Sequence, residues 1–563
     1  MEPLALTWQQ TYLLFGLSAG ASSLIAALPI FTMLLLLGVL RKPAWIAGLS
    51  ALAVTFAVAI GCYHMPAGIA VSAALYGAAF GLFPICWIIF AAITLFRVTV
   101  ATGRFEIIKD SIGRLTPDPR LQALLIAFAF AGFLEGASGF GTPVAIASSM
   151  LIGLGFSPFA ASALCLLANT TPVAFGSIGI PVYTLAGTTG LPLNKLSEAV
   201  AAICTPIALL VPLYMLFAVG GVSALSGVVV PALLAGVVFG GTQFAIATFV
   251  GPALTDLLAA ILTLGTLILY LRVTARDEAE PPIAHAAMLH HFSRRGSDGD
   301  GHSLILEERI IPDYSAAEIF NAWMPYGLVV ISVLLWGWEP LQKLLNRATI
   351  VIPWPMLHDV VHRMPPIAAA AAPYHALFTF NWLSAAGTAC MTAALLTVLI
   401  SRMHLTEFIK VLGEVVKQLR LPVLTVASVL ATAFLMNYCG ATATLGLAFA
   451  ATGVAFPFFS VLLGWVGVFL TGSDTSANAL FGNLQVVTAT RLGFSPVLLA
   501  AANSTGGAVG KMISLQSIAV ASAATGLTQL QQARLFRFTL RHSILLIIVT
   551  GGIALLYAYI AHY

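Results

Sequence analysis

The 563-residue chain is 60% hydrophobic and only 8% charged, with a formal net charge of +4. Soluble domains carry about a quarter charged residues, which excludes a soluble globular fold and leads us to expect an all-α polytopic membrane protein. The bases are scattered between apolar runs, so they bear on loop topology and exclude nucleic acid as a partner.

In chain order, acidic Glu2 and the lack of a basic stretch before the first apolar run predict a first segment that is retained. Residues 24–40 close on Arg41 and Lys42, and 44–62 form a second span ending at a Tyr-His-Met-Pro turn. Residues 66–96 exceed one straight helix, and Pro84 with Gly77 and Gly81 predicts a break and a close helix contact. At 102–120, Arg104, Glu106, Lys109, Asp110 and Arg114 alternate with apolar residues at helical spacing, the pattern of an interfacial amphipathic helix.

Residues 121–154 hold two apolar arms, 123–134 and 144–154, around a glycine-rich tip at 135–143. Each arm is about 18 Å long if helical, against a hydrocarbon core of about 30 Å. We therefore read a re-entrant helical hairpin, with two ordinary spans and a tight turn as the alternative. Residues 156–181 form a span unwound at 169–172, where Pro172 removes a donor, and further spans cover 199–219, 225–246 and 254–271.

Residues 272–318 are the one long hydrophilic segment, a linker with a flexible tip at 293–301 between a first transmembrane half (1–271) and a second (319–563). Its His285, His290, His291 and His302 match no tight metal motif and read as solvated. The six cysteines, Cys62, Cys86, Cys165, Cys204, Cys390 and Cys439, stand singly in apolar surroundings and read as free thiols, with no metal site and no cofactor.

The second half repeats the plan: a span at 320–338, a mixed loop to 380, a span at 382–400, an amphipathic stretch at 402–420 and spans at 421–439 and 444–459. A second hairpin near 461–491 has its tip at 471–478, a second broken span unwinds near 503–507, and Arg534, Arg537 and Arg541 precede a last span at 543–563. Bases in the linker and before the last span favour the cytoplasm for those segments, but the two equally basic amphipathic stretches leave orientation open. The pentapeptide Leu-Gly-Phe-Ser-Pro occurs at 154–158 and 492–496, each time followed by an Ala-Asn-Thr/Ser-Thr cluster, at 168–171 and 502–505. The interval to the cluster is about four residues, one helical turn, shorter in the second copy. Acid-bearing glycine-rich break, pentapeptide and cluster recur in one order, which predicts two inverted repeats with paired re-entrant hairpins and broken helices.

Glu135, Asp474 and Lys511 are the ionisable residues set deepest in apolar context, where a charge is costly unless paired or hydrated. For the two acids we weigh a proton or substrate role against N-capping of a hairpin helix, and for Lys511 an anion partner against a structural pairing with one of those acids. Arg97 and Arg491 lie nearer span ends and read as snorkelling. The run Gly506-Gly507-Ala508-Val509-Gly510-Lys511 is not a P-loop, because Thr505 and Met512 stand where Gly and Ser/Thr are required. No HExxH or nucleophile–base set supports a membrane-embedded enzyme, and clustered rather than continuous polar residues speak against a channel.

The motifs EGASGFGTPVAIA (135–147), ANTTPVAFGSIGIP (168–181), LTGSDTSANALFGNLQ (470–485) and ANSTGGAVGKMISLQSIAVA (502–521), with the Arg-Met-Pro-Pro turn at 363–366, resemble the signatures of the bacterial lactate permease family over nearly the whole chain. Thr171 stands where the family pattern has Ala, and Leu515 where many members have Pro. The resemblance implies a secondary active transporter in the bacterial cytoplasmic (inner) membrane that imports lactate and related 2-hydroxy monocarboxylates such as glycolate by proton symport. The alternatives are a sodium-coupled carboxylate transporter or an anion channel. The implied partners are a small monocarboxylate, protons and the lipid bilayer, and an oligomer is compatible with this. With the halves inverted, Asn169, Thr170 and Thr171 would face Asn503, Ser504 and Thr505 and replace the water lost by a carboxylate and a 2-hydroxyl. Lys511 would supply the positive partner, and Ser473 and Thr475 further hydrogen bonds. Proton coupling falls first to Glu135, whose neighbours Phe133, Leu134 and Phe140 favour the uncharged carboxyl, and second to Asp474.

Overall fold

The structure, a computed structural model, describes residues 7–40, 42–139, 141–274 and 314–560. The expected tip at 293–301 and the four linker histidines lie outside the described residues. Among the described residues, 10 helices are long and apolar enough to cross a membrane, and two further helix pairs are bent by 47° and 62° at a short break. The fold is all-α and polytopic, as expected from composition. Among the described residues all but one of its few strands lie in the segment read as a mixed loop: Ile350–Pro353 pairs antiparallel with Leu377–Phe380, and Val361–Arg363 lies between the amino-terminal Trp8–Gln9 and Ala372–Pro373. These strands form a strap that ties the amino-terminal segment to the middle of the chain.

Helix Ala316–Gly337 runs from the linker to the strap, so these mark opposite ends of the bundle. Arg104 donates to Asn321 O and to Ser401 Oγ, which brings both amphipathic stretches to the linker end. Arg120 reaches Ser226 O there, and Arg534 sits over Phe159. The bases concentrate at this end, the asymmetry that the positive-inside rule associates with the cytoplasmic face.

Several boundaries differ from the sequence reading, each for a local reason. Capping boxes at Ser315/Glu318 and Thr528/Gln531 start Ala316–Gly337 and Gln529–Tyr559 early, so Arg534, Arg537 and Arg541 lie inside the last helix. The second amphipathic stretch and the span after it are one helix of 35 residues, Leu405–Cys439, because the buried stripe Phe408, Val411, Val415 and Leu419 continues into the span. The expected span at 444–459 is interrupted at Gly453 (φ 58°), and helix resumes at Phe456. Pro84 forces Phe83 into an extended conformation (φ −141°, ψ 124°), which supplies the break expected there. An added Cβ on Gly77 would lie 2.4 Å from Leu430 O, so helix Ala67–Phe80 packs backbone to backbone on Leu405–Cys439.

The helices around the polar breaks are α1 (Pro119–Ala137), α2 (Thr142–Gly153), α3 (Pro158–Ala168), α4 (Gly176–Thr189), α5 (Val229–Phe249), α6 (Thr255–Thr274), α7 (Phe456–Thr471), α8 (Asp474–Leu492), α9 (Pro496–Gly510) and α10 (Leu515–Thr525). The repeated pentapeptide is a helix stop and start. Gly155 and Gly493 take left-handed φ of 94° and 77°, then Ser157 and Ser495 cap α3 and α9, with proline in the first turn. Helix α1 spans 19 residues rather than the short arm expected, because Asp118 accepts from Arg120 N–H and Pro119 starts the helix early.

The first bend falls at 169–172, where it was expected, but the second does not fall at 503–507. Helix α9 runs unbroken through Gly510, and the chain turns at Lys511–Ile513 before Ser514 caps α10. The glycines of this region pack helices together instead of unwinding one. A Cβ on Gly506 would lie 2.0 Å from Val461 O, and one on Gly464 1.8 Å from Asn503 O, so α7 and α9 touch along their backbones. Helix α3 has 11 residues and α9 has 15, so the Asn-Thr/Ser-Thr cluster lies past the helix end in the first half and inside the helix in the second.

Candidate functional site

The second break carries a one-way chain of buried hydrogen bonds. Gln485 Nε2 donates to Asn503 Oδ1 (3.1 Å), Asn503 Nδ2 to Asn478 Oδ1 (3.0 Å), Asn478 Nδ2 to Ser504 Oγ (2.9 Å), and Ser504 Oγ to Asp474 Oδ2 (2.8 Å). Asp474 is in the first turn of α8, but the cap is Ser473, whose Oγ accepts from Ser476 N–H. The acid is thereby free to end the chain. Its other oxygen lies against Gly507, where an added Cβ would come within 2.1 Å of Oδ1. Asn478 and Gln485 were not singled out from sequence, although they follow Asp474 at positions that share its helical face. Thr475 is half-buried and takes no part in this chain of bonds, and Thr505 bonds back to Ala502 O of its own helix.

The first break is built differently. Glu135 sits in the last turn of α1, so it cannot be an N-cap, and the helix dipole opposes a negative charge there. Its Oε1 lies against Gly176, and Asn169 is its close neighbour without a well-formed hydrogen bond. Among the described residues, Glu135 Oε2, both polar atoms of the Asn169 side chain and Thr171 Oγ1 have no hydrogen-bond partner. Thr170 is turned onto Leu167 O. The start of α4 is a left-handed turn at Ser177, Ile178 and Gly179 (φ 49°, 60° and 76°), a strained conformation for a β-branched residue. Ser177 Oγ donates to Ser138 O (3.0 Å) and so ties this turn to the tip beside Glu135.

A second acid, missed from sequence, belongs to this break. Asp256, in the first turn of α6, is 1% exposed, and its Cβ lies against the Gly136 backbone. Gln243 of α5 donates from Nε2 to Asp256 Oδ1 (3.3 Å) and to Thr171 O (3.1 Å), which links the acid to the unwound segment. Asp256 Oδ2 and Gln243 Oε1 are also without partners among the described residues. Asp256 stands at the start of an apolar run like an ordinary first-turn acid, but Gln243 is a readable signal as an amide inside an apolar span.

Lys511 joins the two breaks. It is 6% exposed, its Nζ donates to Gly472 O at the α7–α8 tip (2.5 Å), and it stands in the field of Glu135 first and Asp474 second without an ion pair to either. The clusters at 169–171 and 503–505 share no direct hydrogen bond; the halves meet instead where Asn478 Nδ2 donates to Pro181 O (3.2 Å) and Thr188 Oγ1 to Asn478 O (3.4 Å). Among the described residues one trio of metal-ligating type, His358, Asp359 and His375, lies in the strap. Both Asp359 oxygens are taken up by the two imidazoles, and Ala376 N–H holds His358 Nδ1, which leaves the proton on the Nε2 that faces Asp359.

The profile of the L-lactate permease family matches residues 22–561. The chain is 41% identical over 562 residues to the glycolate permease GlcA of Escherichia coli strain K12, covering 98% of both chains. It is 40% identical over 559 residues to the L-lactate permease of the same strain, covering 98% of both. With the L-lactate permease of Bacillus subtilis strain 168 the identity is 39% over 560 residues, covering 96% of this chain and 97% of that one. The solved YdaH transporter of Alcanivorax borkumensis covers 85% of this chain and 86% of its own at 14% identity and a TM-score of 0.42, too loose a likeness to carry topology across. With the profile spanning nearly the whole chain and full-length bacterial relatives that are permeases and not enzymes, the chain belongs to the L-lactate permease family and is a multi-pass protein of the bacterial inner membrane.

Proposed function

We propose that the protein imports lactate, glycolate and similar 2-hydroxy monocarboxylates by proton symport. The observation that carries this reading is Lys511: a buried ammonium anchored by a backbone carbonyl, in the field of two buried acids yet paired with neither. A carboxylate entering low dielectric needs such a charge. Asn169 and Thr171 supply unpaired hydrogen-bonding groups for the substrate, Ser473 and Thr475 flank the opposite tip, and Glu135 carries the proton with Asp256 beside it.

The halves 1–271 and 319–563 act as inverted repeats in this reading. Two features support it: α1 starts at the linker end, where Arg120 meets Ser226, whereas α7 starts beside Val454, which accepts from Tyr559 at the far end of the last helix. The linker end is then cytoplasmic. Uptake of labelled lactate into vesicles under an imposed pH gradient tests the function. Accumulation above the outside concentration is expected, and mere equilibration would mean a channel. A sodium-coupled reading has one observation in its favour, because Glu135, Asp256, Gln243, Asn169 and Thr171 all offer unpartnered oxygens of the kind hard cations take. Accumulation driven by a sodium gradient alone would select it.

A further inference from the structure

At the strap end, a cavity of about 710 Å³ is walled by Arg363, Tyr374 and His375 of the strap, Thr188 of α4, and Asn483 and Arg491 of α8. Two of its lining residues are arginines and none is an acid. The Arg363 guanidinium lies 3.8 Å above the Tyr374 ring, which stacks on Tyr438 at 4.3 Å. Tyr438 is fixed in turn by donation to His375 O, and Met364 N–H donates to Tyr12 Oη (3.0 Å), which holds the backbone next to Arg363. The nearby acid Asp359 is engaged by His375 (2.6 Å) and His358 (3.3 Å), and neither arginine side chain makes an ion pair or hydrogen bond among the described residues. Burial holds the Tyr374 phenol above its ordinary value and Arg363 pulls it part of the way back.

A guanidinium stacked on an aromatic face keeps its fork of donors free, and a cleft of one sign with apolar walls concentrates anions. The floor of this cavity leads inward. Thr188, which lines it, is hydrogen-bonded to Asn478 O, so a single layer of residues separates the cavity from the buried network. We propose that this cavity is the external capture site for the monocarboxylate, with Arg363 holding the carboxylate and Arg491 adding to the attracting field. The inference rests on the transport reading above and goes beyond it by placing a first, outer binding step at residues of the strap and α8.

The test measures uptake of labelled lactate against its concentration, and at several ionic strengths, for the full chain and for Arg363→Ala, Arg363→Lys and Arg491→Ala in vesicles with equal amounts of inserted protein. Arg363→Ala should raise KM about tenfold, with a much smaller change in maximal rate, and should flatten the dependence of uptake on ionic strength. Arg363→Lys should fall between the parent and Arg363→Ala, because it keeps the charge and loses the fork. If Arg363→Ala does not insert, the other two variants decide. An unchanged KM and salt dependence in them overturns the capture site while the transport reading stands. A parent protein that takes up neither lactate nor glycolate would instead overturn the transport reading, and the capture site with it.

Discussion

The two polar breaks contain similar residue types and treat them in opposite ways. Around Asp474 the side chains of Gln485, Asn503, Asn478 and Ser504 are bonded to one another in a directed chain, and among the described residues only its two ends, Asp474 Oδ1 and Gln485 Oε1, have no partner. Around Glu135 the side chains of Asn169, Thr171, Gln243 and Asp256 are equally buried, but several of their polar atoms have no partner among the described residues. A buried network whose interior members are all paired fixes geometry, whereas many unpaired buried polar groups in one place are costly unless something else satisfies them during the working cycle. The second break therefore reads as the frame and the first as the working face, with Lys511 reaching from the frame toward both acids.

The largest effect should come from breaking the link between them. Lys511→Met should abolish lactate uptake in correctly inserted protein, and Lys511→Arg should restore little, because a planar fork does not replace a point charge held on Gly472 O. Normal transport by Lys511→Met would make the lysine structural. Next in size is Gly507→Ala. Its added Cβ would come within 2.1 Å of Asp474 Oδ1, so we expect loss of the folded network, read as a lowered melting temperature in detergent and a matching fall in uptake. A variant that melts like the parent would show that the acid has room to move.

A paired substitution sharpens the comparison itself. Ser504→Ala leaves Asp474 and Asn478 short of a partner and should cost about 1–3 kcal/mol of stability. Asn503→Ala should behave likewise, since Gln485 and Asn478 both depend on it. Asn169→Ala removes no existing hydrogen bond, so its stability should barely change while its apparent lactate affinity drops. Thermal melts and lactate binding on the same three proteins check this, and the opposite pattern would exchange the roles of the two breaks. The smallest effect is expected from Thr475→Ala, a half-buried side chain outside the network, for which a modest rise in KM is the expected result.

Much of this was legible in the sequence, and the failures have physical causes. The pentapeptide could be read because left-handed glycine, capping serine and first-turn proline are local devices that work the same way in both halves. The second bend was misplaced because Gly506, Gly507 and Gly510 look like breakers. Whether a glycine unwinds a helix or lets a neighbour approach is decided by the partner, here α7, which no local pattern names. Asp256 was invisible for the same reason: nothing in its own segment places it against Gly136. Asn478 and Gln485 were readable from their shared face with Asp474 and were passed over in favour of charged residues. The strap strands, two to four residues long, are too short to show a period of two.

Whether coupling resides at the first break is decided by comparing lactate exchange with gradient-driven uptake in Glu135→Gln vesicles, with Asp256→Asn alongside. Glu135→Gln mimics the protonated carboxyl, so it should retain exchange of labelled for unlabelled lactate and lose accumulation under a pH gradient. Asp256→Asn should weaken accumulation less, because Gln243 holds one of its oxygens already. Full gradient-driven accumulation by Glu135→Gln would contradict coupling at the first break and move the proton to Asp474 at the end of the second network.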